Sequence, residues 1–364
     1  MRTPRPRRFA CVLAIACGLL GVAQGWAGAS PGSDRFLSSA VYHGDFPDPS
    51  IIRVGSTYYA FSTNMGHLNL PEMTSTDLIT WRAHRSNAAS CPTDRDGHCR
   101  YQNEVMPTVA SWAVHPVPGS TWAPGVAHIG TGYVVTYVVR RTQTQQCLTV
   151  ATAASLLGPF VDRTAGPLVC PSNQGATDPS IYTAPDGVSW LLWKTEGRPG
   201  VEATKLYSRR LNASGTAFGT GSVTHLLSQT SQKWEGHVVE NPSMIAYGGR
   251  YYLFYSANEW TTAAYAIGYA VCSGPQGPCT KPQPTPLLSS TSSIAGPGGP
   301  TPIVGGTGHL RLGYAAWDAG RVGYPTPGQT AACFDHPGGC NQRKLHVATL
   351  SVTGGGLLAV SSLG

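Results

Sequence analysis

Asp48, Asp178 and Glu240 each stand at or one residue before the start of a residue-Pro-small tripeptide. The segments read Asp48-Pro49-Ser50, Asp178-Pro179-Ser180 and Glu240-Asn241-Pro242-Ser243. Carboxyls brought together in an apolar pocket with an aromatic rim can split a glycosidic bond. One must hold a proton near neutral pH to protonate the leaving oxygen, and another must be ionised to activate water or attack the anomeric carbon. Crowding creates the difference, because like charge and desolvation push one carboxyl upward. A single Asp-Pro is ordinary turn chemistry, with Asp capping a backbone amide. Glu is not a turn former, so Glu240 beside such a motif carries more weight. The chain has only 18 acids, which makes three at matching places informative.

The elements that must position these acids form a repeat. Five times a residue-Pro-small tripeptide is followed, about ten residues on, by an aromatic or apolar run. Ala123-Pro124-Gly125 and Gly299-Pro300-Thr301 supply the second and fifth cases, and Asn241-Pro242-Ser243 the fourth. The prolines lie 75, 55, 63 and 58 residues apart. Gly-Ser, Gly-Thr-Gly, Pro-Asp-Gly and Gly-Gly turns separate the paired runs, as hairpins require. Further β segments follow, among them Cys147-Leu148-Thr149-Val150-Ala151 and Leu345-His346-Val347-Ala348-Thr349. Four short strands per ~60-residue repeat predict a five-bladed β-propeller; a β-sandwich is the competing all-β architecture. In a propeller the first strand of each blade lines the axis, so equivalent residues converge on one pocket. One difficulty follows. Strict alternation along a strand puts Glu240 on the opposite face from an Asp48 equivalent unless a bulge intervenes.

Composition agrees. The 364 residues include 44 Gly and 29 Pro without a short period, and 12% are charged. That excludes collagen and long helices, and 41% hydrophobic content excludes wholesale disorder. Arg2, Arg5, Arg7 and Arg8 precede an apolar run from Phe9 to about Ala23 and an Ala27-Gly28-Ala29 cleavage pattern. Residues 1–29 therefore read as a secretory signal and 30–364 as the propeller domain. Removing the signal lowers the formal net charge from +7 to +3, which takes away the main support for nucleic-acid binding. No other stretch reaches the ~20 apolar residues of a membrane span. Lipidation at Cys17 is weakly supported. The eight remaining cysteines pair most simply as Cys91/Cys99, Cys147/Cys170, Cys272/Cys279 and Cys333/Cys340, although 105 connectivities exist for eight. Spacing for zinc is absent. The chain is expected to be secreted and monomeric.

Taken in order, Asp45-Phe46-Pro47-Asp48-Pro49-Ser50, Ser75-Thr76-Asp77-Leu78-Ile79-Thr80-Trp81, Thr121-Trp122-Ala123-Pro124, Thr177-Asp178-Pro179-Ser180 and Val239-Glu240-Asn241-Pro242-Ser243 resemble glycoside hydrolase family 43. The resemblance covers essentially the whole mature chain. It implies a five-bladed propeller that hydrolyses arabinose- or xylose-containing polysaccharides or oligosaccharides of plant type with inversion. By motif, Asp48 would be the general base, Glu240 the general acid, and Asp178 the residue that orients that acid and raises its pKa. Inversion would place the Asp48 and Glu240 carboxyls about 6.5–9.5 Å apart. Asp45 is the rival base and Glu235 the rival acid. Phe46 and Trp122 are expected as walls of the sugar site, with core packing the alternative for each. Arg321 is the candidate contact to a sugar hydroxyl from the last blade.

The fit is not complete. Many family members carry a Gly-Pro-Gly-His segment near an axial cation, whereas this chain reads Gly296-Pro297-Gly298-Gly299. No cofactor is therefore expected to be required and no metal ligand is assigned, a structural Ca2+ in the central channel being the one ion considered. The leading reading is an α-L-arabinofuranosidase or arabinanase, with β-xylosidase next. Two other classes stay open: a non-catalytic carbohydrate-binding propeller, and a sialidase-like propeller suggested by Ser75-x-Asp77. Asn212-Ala213-Ser214 reads as a glycosylation sequon or a plain turn. The segment between Trp81 and Trp122 is the candidate loop for exo or endo action.

Overall fold

The computed structural model describes residues 39–64, 68–82, 103–114, 121–172, 175–198, 201–230, 233–324 and 341–361. The signal segment, Cys91, Cys99, Cys333 and Cys340 lie outside these residues, as does most of the segment between Trp81 and Trp122. Short strands separated by Gly-rich turns pair with their sequence neighbours, giving five antiparallel sheets. Blade 1 holds β2 (Ser50–Val54), β3 (Thr57–Phe61), β4 (Pro71–Ser75) and β5 (Asn103–Glu104). Blade 2 holds β6 (Trp122–Ile129), β7 (Gly132–Arg140), β8 (Gln146–Ala153) and β9 (Val161–Asp162). Blade 3 holds β10 (Ala176–Thr183), β11 (Ser189–Thr195), β12 (Lys205–Arg210) and β13 (Thr224–Ser228). Blade 4 holds β14 (Val239–Tyr247), β15 (Arg250–Ala257), β16 (Ala266–Cys272) and β17 (Cys279–Thr280).

Blade 5 draws on both ends of the chain. It holds β18 (Ile294–Val304), β19 (Leu310–Asp318) and β20 (Lys344–Val352), and one edge of β20 is shared by β1 (Tyr42–Asp45) and β21 (Leu358–Ser361). The innermost strands touch in sequence around the ring, β2 to β6 to β10 to β14 to β18 and back to β2. The fold is a five-bladed β-propeller.

Each blade buries both faces against its neighbours, so the cores lie between blades. Phe61, Val135, Tyr137 and Phe160 fill the gap between blades 1 and 2, and Val138, Leu191 and Trp193 that between 2 and 3. Tyr182, Leu192, Leu253 and Tyr255 fill the next, then Phe254, Tyr269, Leu312 and Tyr314. Tyr42, Phe46, Tyr58 and Val347 close the last. Double-sided burial explains the low charge content, because little strand surface remains to be solvated. Hydrogen bonds stitch the inner ring. Val126 N–H donates to Ser50 Oγ at 3.1 Å, Ser180 Oγ to the Pro242 carbonyl at 2.5 Å, and Ile51 N–H to Thr301 Oγ1 at 3.1 Å.

Cys147–Cys170 and Cys272–Cys279 are disulfide-bonded as the local spacing predicted. Among the described residues no helix is long and apolar enough to cross a membrane.

Candidate active site

The repeat has a backbone signature that sequence spacing alone does not reveal. The pre-proline residue of every blade is left-handed: Asp48 at φ 51°, Ala123 at 41°, Asp178 at 55°, Asn241 at 48° and Gly299 at 63°. Asp and Asn tolerate this region because their side chains bond locally, and Gly carries no Cβ to clash. A positive φ on a residue such as Ala123 costs roughly 1–3 kcal/mol. The strain recurs because it turns each pre-proline residue toward the axis. These five residues, their prolines, Ser50, Ser180, Ser243 and Thr301 line the axial pocket.

A β-bulge accompanies the turn. Pairing shifts by one residue between Trp122 and Gly125, between Thr177 and Ser180, and between Glu240 and Ser243. The bulge resolves the difficulty of alternation. Glu240 need not share a strand face with Asp178 to approach it, because the ladder is reset between Glu240 and Ser243.

First strands begin at the site end of the ring and second strands finish there, as the pairings Thr177 with Lys194 and Val239 with Ala257 show. Connections leaving each second strand therefore open onto the same face. Thr63 follows β3, Glu196 follows β11, Tyr265 precedes β16, and Tyr324 and Arg343 lie between β19 and β20. Residues from four blades meet in this way.

Asp48 accepts from Thr63 Oγ1 at 2.7 Å and from Arg343 Nη1 at 3.0 Å. The Arg343 guanidinium also lies 5.6 Å from the centre of the Tyr265 ring. The Tyr265 hydroxyl is 2.6 Å from Glu240 Oε1 and 2.7 Å from Asn241 Oδ1. Lys194 Nζ donates to Glu240 Oε2 at 2.8 Å and lies 3.4 Å from Glu196 Oε2. Asp178 Oδ2 accepts the Asn241 N–H at 3.0 Å. One network thus joins Asp48, Arg343, Tyr265, Glu240 and Lys194, with Asp178 set against the backbone beside Glu240.

Electrostatics divide the carboxyls. Burial, then the charge of Glu240, pushes Asp178 well above the usual carboxylate range, and Lys194 only partly opposes this. Burial pushes Glu240 up as well, but Lys194, Tyr265 and Arg343 outweigh it and hold the carboxyl below its ordinary value. Of the two carboxyls, Asp178 is therefore the one that holds its proton to the higher pH.

Gly298 makes room for the Tyr265 ring, since a Cβ there would meet Tyr265 Cε1 at 1.9 Å. Gly299, left-handed and donating its N–H to Ser256 Oγ at 2.9 Å, closes the ring against Asp48. Among the described residues no three or more His, Cys, Asp or Glu side chains converge as metal ligands would.

The other candidates fall in different places. Asp45 is buried; both its oxygens accept from Tyr324 Oη at 2.9 Å, and Oδ1 accepts the Arg343 N–H at 2.6 Å. Burial is the main reason its pKa rises to about 7. It ties β1 to the approach to β20. Glu235 has no exposed surface and is bound by Lys281, Tyr255 and Thr230. Phe46 corrects the sequence expectation: it is 0% exposed, edge-on to Tyr42, and offers a sugar no face. Trp122 is half-buried, with the Arg140 guanidinium 5.6 Å from its ring.

Arg321 is exposed, with Asn341 Oδ1 3.4 Å from its Nε, and does not line the axial pocket. The arginine against an axial carboxylate is Arg343, whose Nε and Nη2 are buried without a partner. Asp77 caps a turn by accepting the Ile79 and Thr80 N–H groups, and Trp81 is buried, so this motif is structural. Asn212 Oδ1 likewise accepts the Thr216 and Ala217 N–H groups in a turn.

The sequence matches the family described as Glycosyl hydrolases family 43 over residues 38–332. It is 25% identical over 221 residues to the arabinoxylan arabinofuranohydrolase of Bacillus subtilis, covering 57% of this chain and 40% of that protein. It is also 25% identical over 313 residues to the extracellular endo-α-(1→5)-L-arabinanase of Thermotoga petrophila, covering 79% of this chain and 61% of that protein. The chain thus spans less than two thirds of either relative. Among solved structures, a thermostable family-43 glycoside hydrolase matches with a TM-score of 0.66 at 22% identity, covering 87% of this chain and 92% of that one. Native Bacillus subtilis arabinanase matches with a TM-score of 0.63 at 21% identity, covering 88% and 99%. At these identities the structural likeness shows the fold alone.

Proposed function

The chain belongs to glycosyl hydrolase family 43, and on that premise we propose that it is a secreted, inverting hydrolase of arabinose-containing polysaccharides or oligosaccharides, an α-L-arabinofuranosidase or arabinanase. The observation that carries this reading is the convergence of Asp48, Asp178 and Glu240 through Arg343, Tyr265 and Lys194. The names of the curated relatives favour arabinose as the sugar. The basic and apolar N-terminal segment, the disulfides and the extracellular relative favour secretion.

In the proposed reaction Asp48 takes a proton from a water molecule, whose oxygen attacks the anomeric carbon from the side opposite the leaving group. Glu240 gives its proton to the departing glycosidic oxygen as that bond breaks. Asp48 ends protonated and Glu240 ionised, and exchange with solvent restores both. Asp178, through the Asn241 N–H, fixes the backbone that carries Glu240. Arg343 holds Asp48 in place and keeps two buried donors for a ligand oxygen.

The test is a panel of aryl arabinofuranosides, aryl xylosides, linear arabinan and arabinoxylan, assayed with the wild type and Glu240→Ala. Arabinoside cleavage that disappears in the variant is expected. Inactivity on every pentoside, or full activity in the variant, would overturn the assignment. An NMR time course showing a retained anomeric configuration would refute the inverting roles alone.

A further inference from the structure

Lys194 is an unusual residue for its place. It follows Trp190-Leu191-Leu192-Trp193 on β11, pairs with Thr177 on one side and Leu206 on the other, and its side chain is 7% exposed. Burying a lone ammonium in a propeller strand costs several kcal/mol unless a counter-charge meets it. Two carboxylates do, and they differ. Glu240, 2.8 Å away, is buried at the start of β14 in the next blade; Glu196, 3.4 Å away, lies on the same blade with its side chain 36% exposed. Glu196 also accepts from Thr177 Oγ1 at 2.8 Å, which fixes it beside the ammonium.

The groups facing Glu240 can be named from every element around it. Lys194 comes from β11, Glu196 from the connection after it, Asp178 from β10 and Tyr265 from the approach to β16. Arg343 comes from the approach to β20, and Asp48 completes the set before β2. The anionic members raise the proton affinity of Glu240 and the cationic members lower it. Lys194 is the cation in direct contact with Glu240, whereas Arg343 makes its ion pair with Asp48.

We infer that Lys194 is a positioning residue: by dividing its charge between Glu240, which it approaches more closely, and Glu196, it decides which of Asp178 and Glu240 carries the site's proton, and so sets the alkaline limit of activity. The inference rests on the proposed acid role of Glu240. With Lys194 on Glu240 the proton resides on Asp178. When Lys194 turns to Glu196, Glu240 becomes the better base of the pair and receives the proton it must deliver. No covalent bond other than that to the proton is made or broken.

The experiment compares pH profiles of kcat/KM for the wild type, Lys194→Met, Lys194→Arg and Glu196→Gln on one aryl arabinofuranoside. A carboxylate beside a cation is held down by about one to three pH units. Lys194→Met should therefore move the alkaline limb up by about that amount and leave the acidic limb in place. Lys194→Arg should keep both limbs near wild type. Glu196→Gln should move the alkaline limb down, because it removes both a nearby negative charge and the alternative partner of Lys194.

A second readout needs no turnover. Carboxyl carbon NMR titration of labelled protein, with Glu240 assigned by Glu240→Gln, should show Glu240 gaining its proton at higher pH in Lys194→Met. An unmoved or lowered Glu240 titration in that variant, or an alkaline limb that stays put, overturns the inference. If the wild type cleaves no pentoside while the Glu240 titration moves as expected, the acid role fails and the hold of Lys194 on Glu240 stands.

Discussion

Two buried glutamates, five residues apart, are surrounded by the same types of side chain. Glu240 meets Lys194 at 2.8 Å and Tyr265 at 2.6 Å. Glu235 meets Lys281 at 2.6 Å and Tyr255 at 2.8 Å. The difference lies in what else is present. Glu235 Oε2 also accepts the Thr230 N–H at 2.8 Å and its hydroxyl at 2.9 Å, and Glu235 is the only carboxylate that bears on Lys281 or Tyr255 among the described residues. This is a closed clasp that ties the end of blade 3 to blade 4 and the segment after it. Glu240 instead shares its surroundings with Asp178, whose proton its charge helps to hold, and with Asp48, which bears on the same tyrosine. A Glu–Lys–Tyr cluster alone therefore does not mark a site. Several carboxyls crowded beside an axial pocket do, because a fold gains nothing from crowding them.

The sharpest way to break this comparison is to substitute both glutamates. Glu240→Gln should lower kcat/KM by about 10²–10⁴-fold, the usual contribution of a positioned acid, with little change in melting temperature. Glu235→Gln should do the reverse. It leaves the Lys281 ammonium buried without its counter-charge, at a cost of about 3–5 kcal/mol, while kcat per folded molecule is kept. Thermal melts and active-site-normalised rates separate the two outcomes. Equal behaviour of the pair would remove the distinction.

The tyrosines give a finer version. Tyr265→Phe withdraws the hydroxyl that orients Glu240, and kcat should fall about tenfold, equivalent to about 1.4 kcal/mol. Tyr255→Phe withdraws one bond from the clasp and should cost about 1.5–3 kcal/mol of stability with kcat unchanged, as for bonds to charged groups generally. Urea midpoints and initial rates measured on the same preparations decide the matter. A fall in kcat for Tyr255→Phe would join the clasp to the site.

How far this contrast was legible in the sequence depends on the residue. The spacing of the five prolines predicted the blades, and the acids beside them converge as expected, because equivalent positions of a propeller share an axis. The left-handed turns were hidden, since Ala123 carries no mark of a positive φ. Lys194 was visible only as a charge in an apolar strand, a signal that gains meaning once Glu240 is placed opposite. Tyr265 and Arg343 lie in connections between strands, and nothing local reveals which way those connections open. Phe46 was misread for a topological reason. Next to Asp45 and Asp48 it resembles a pocket wall, but it follows β1, which pairs with β20 and buries Phe46 between blades 5 and 1.

Glu72 extends the comparison to a buried glutamate that has no lysine. It lies on β4 with 0% exposure, accepts from Asn103 Nδ2 at 3.0 Å, and leaves Oε1 unpartnered. Burial, only partly offset by that hydrogen bond, lifts its pKa from 4.5 to about 8. Between those two values the folded chain keeps a proton that the unfolded chain has released. Stability must therefore fall as pH rises through that window, and the loss is complete above about pH 8. Glu72→Gln copies the neutral acid at every pH and should erase this part of the decline. Melting temperatures of variant and wild type should coincide at pH 4, and the variant should be higher by a few degrees at pH 9. A constant offset across the range would mean that the carboxyl is ionised throughout. Lysine, rather than burial, would then have lost its claim as the feature that separates Glu240 from a plain buried acid.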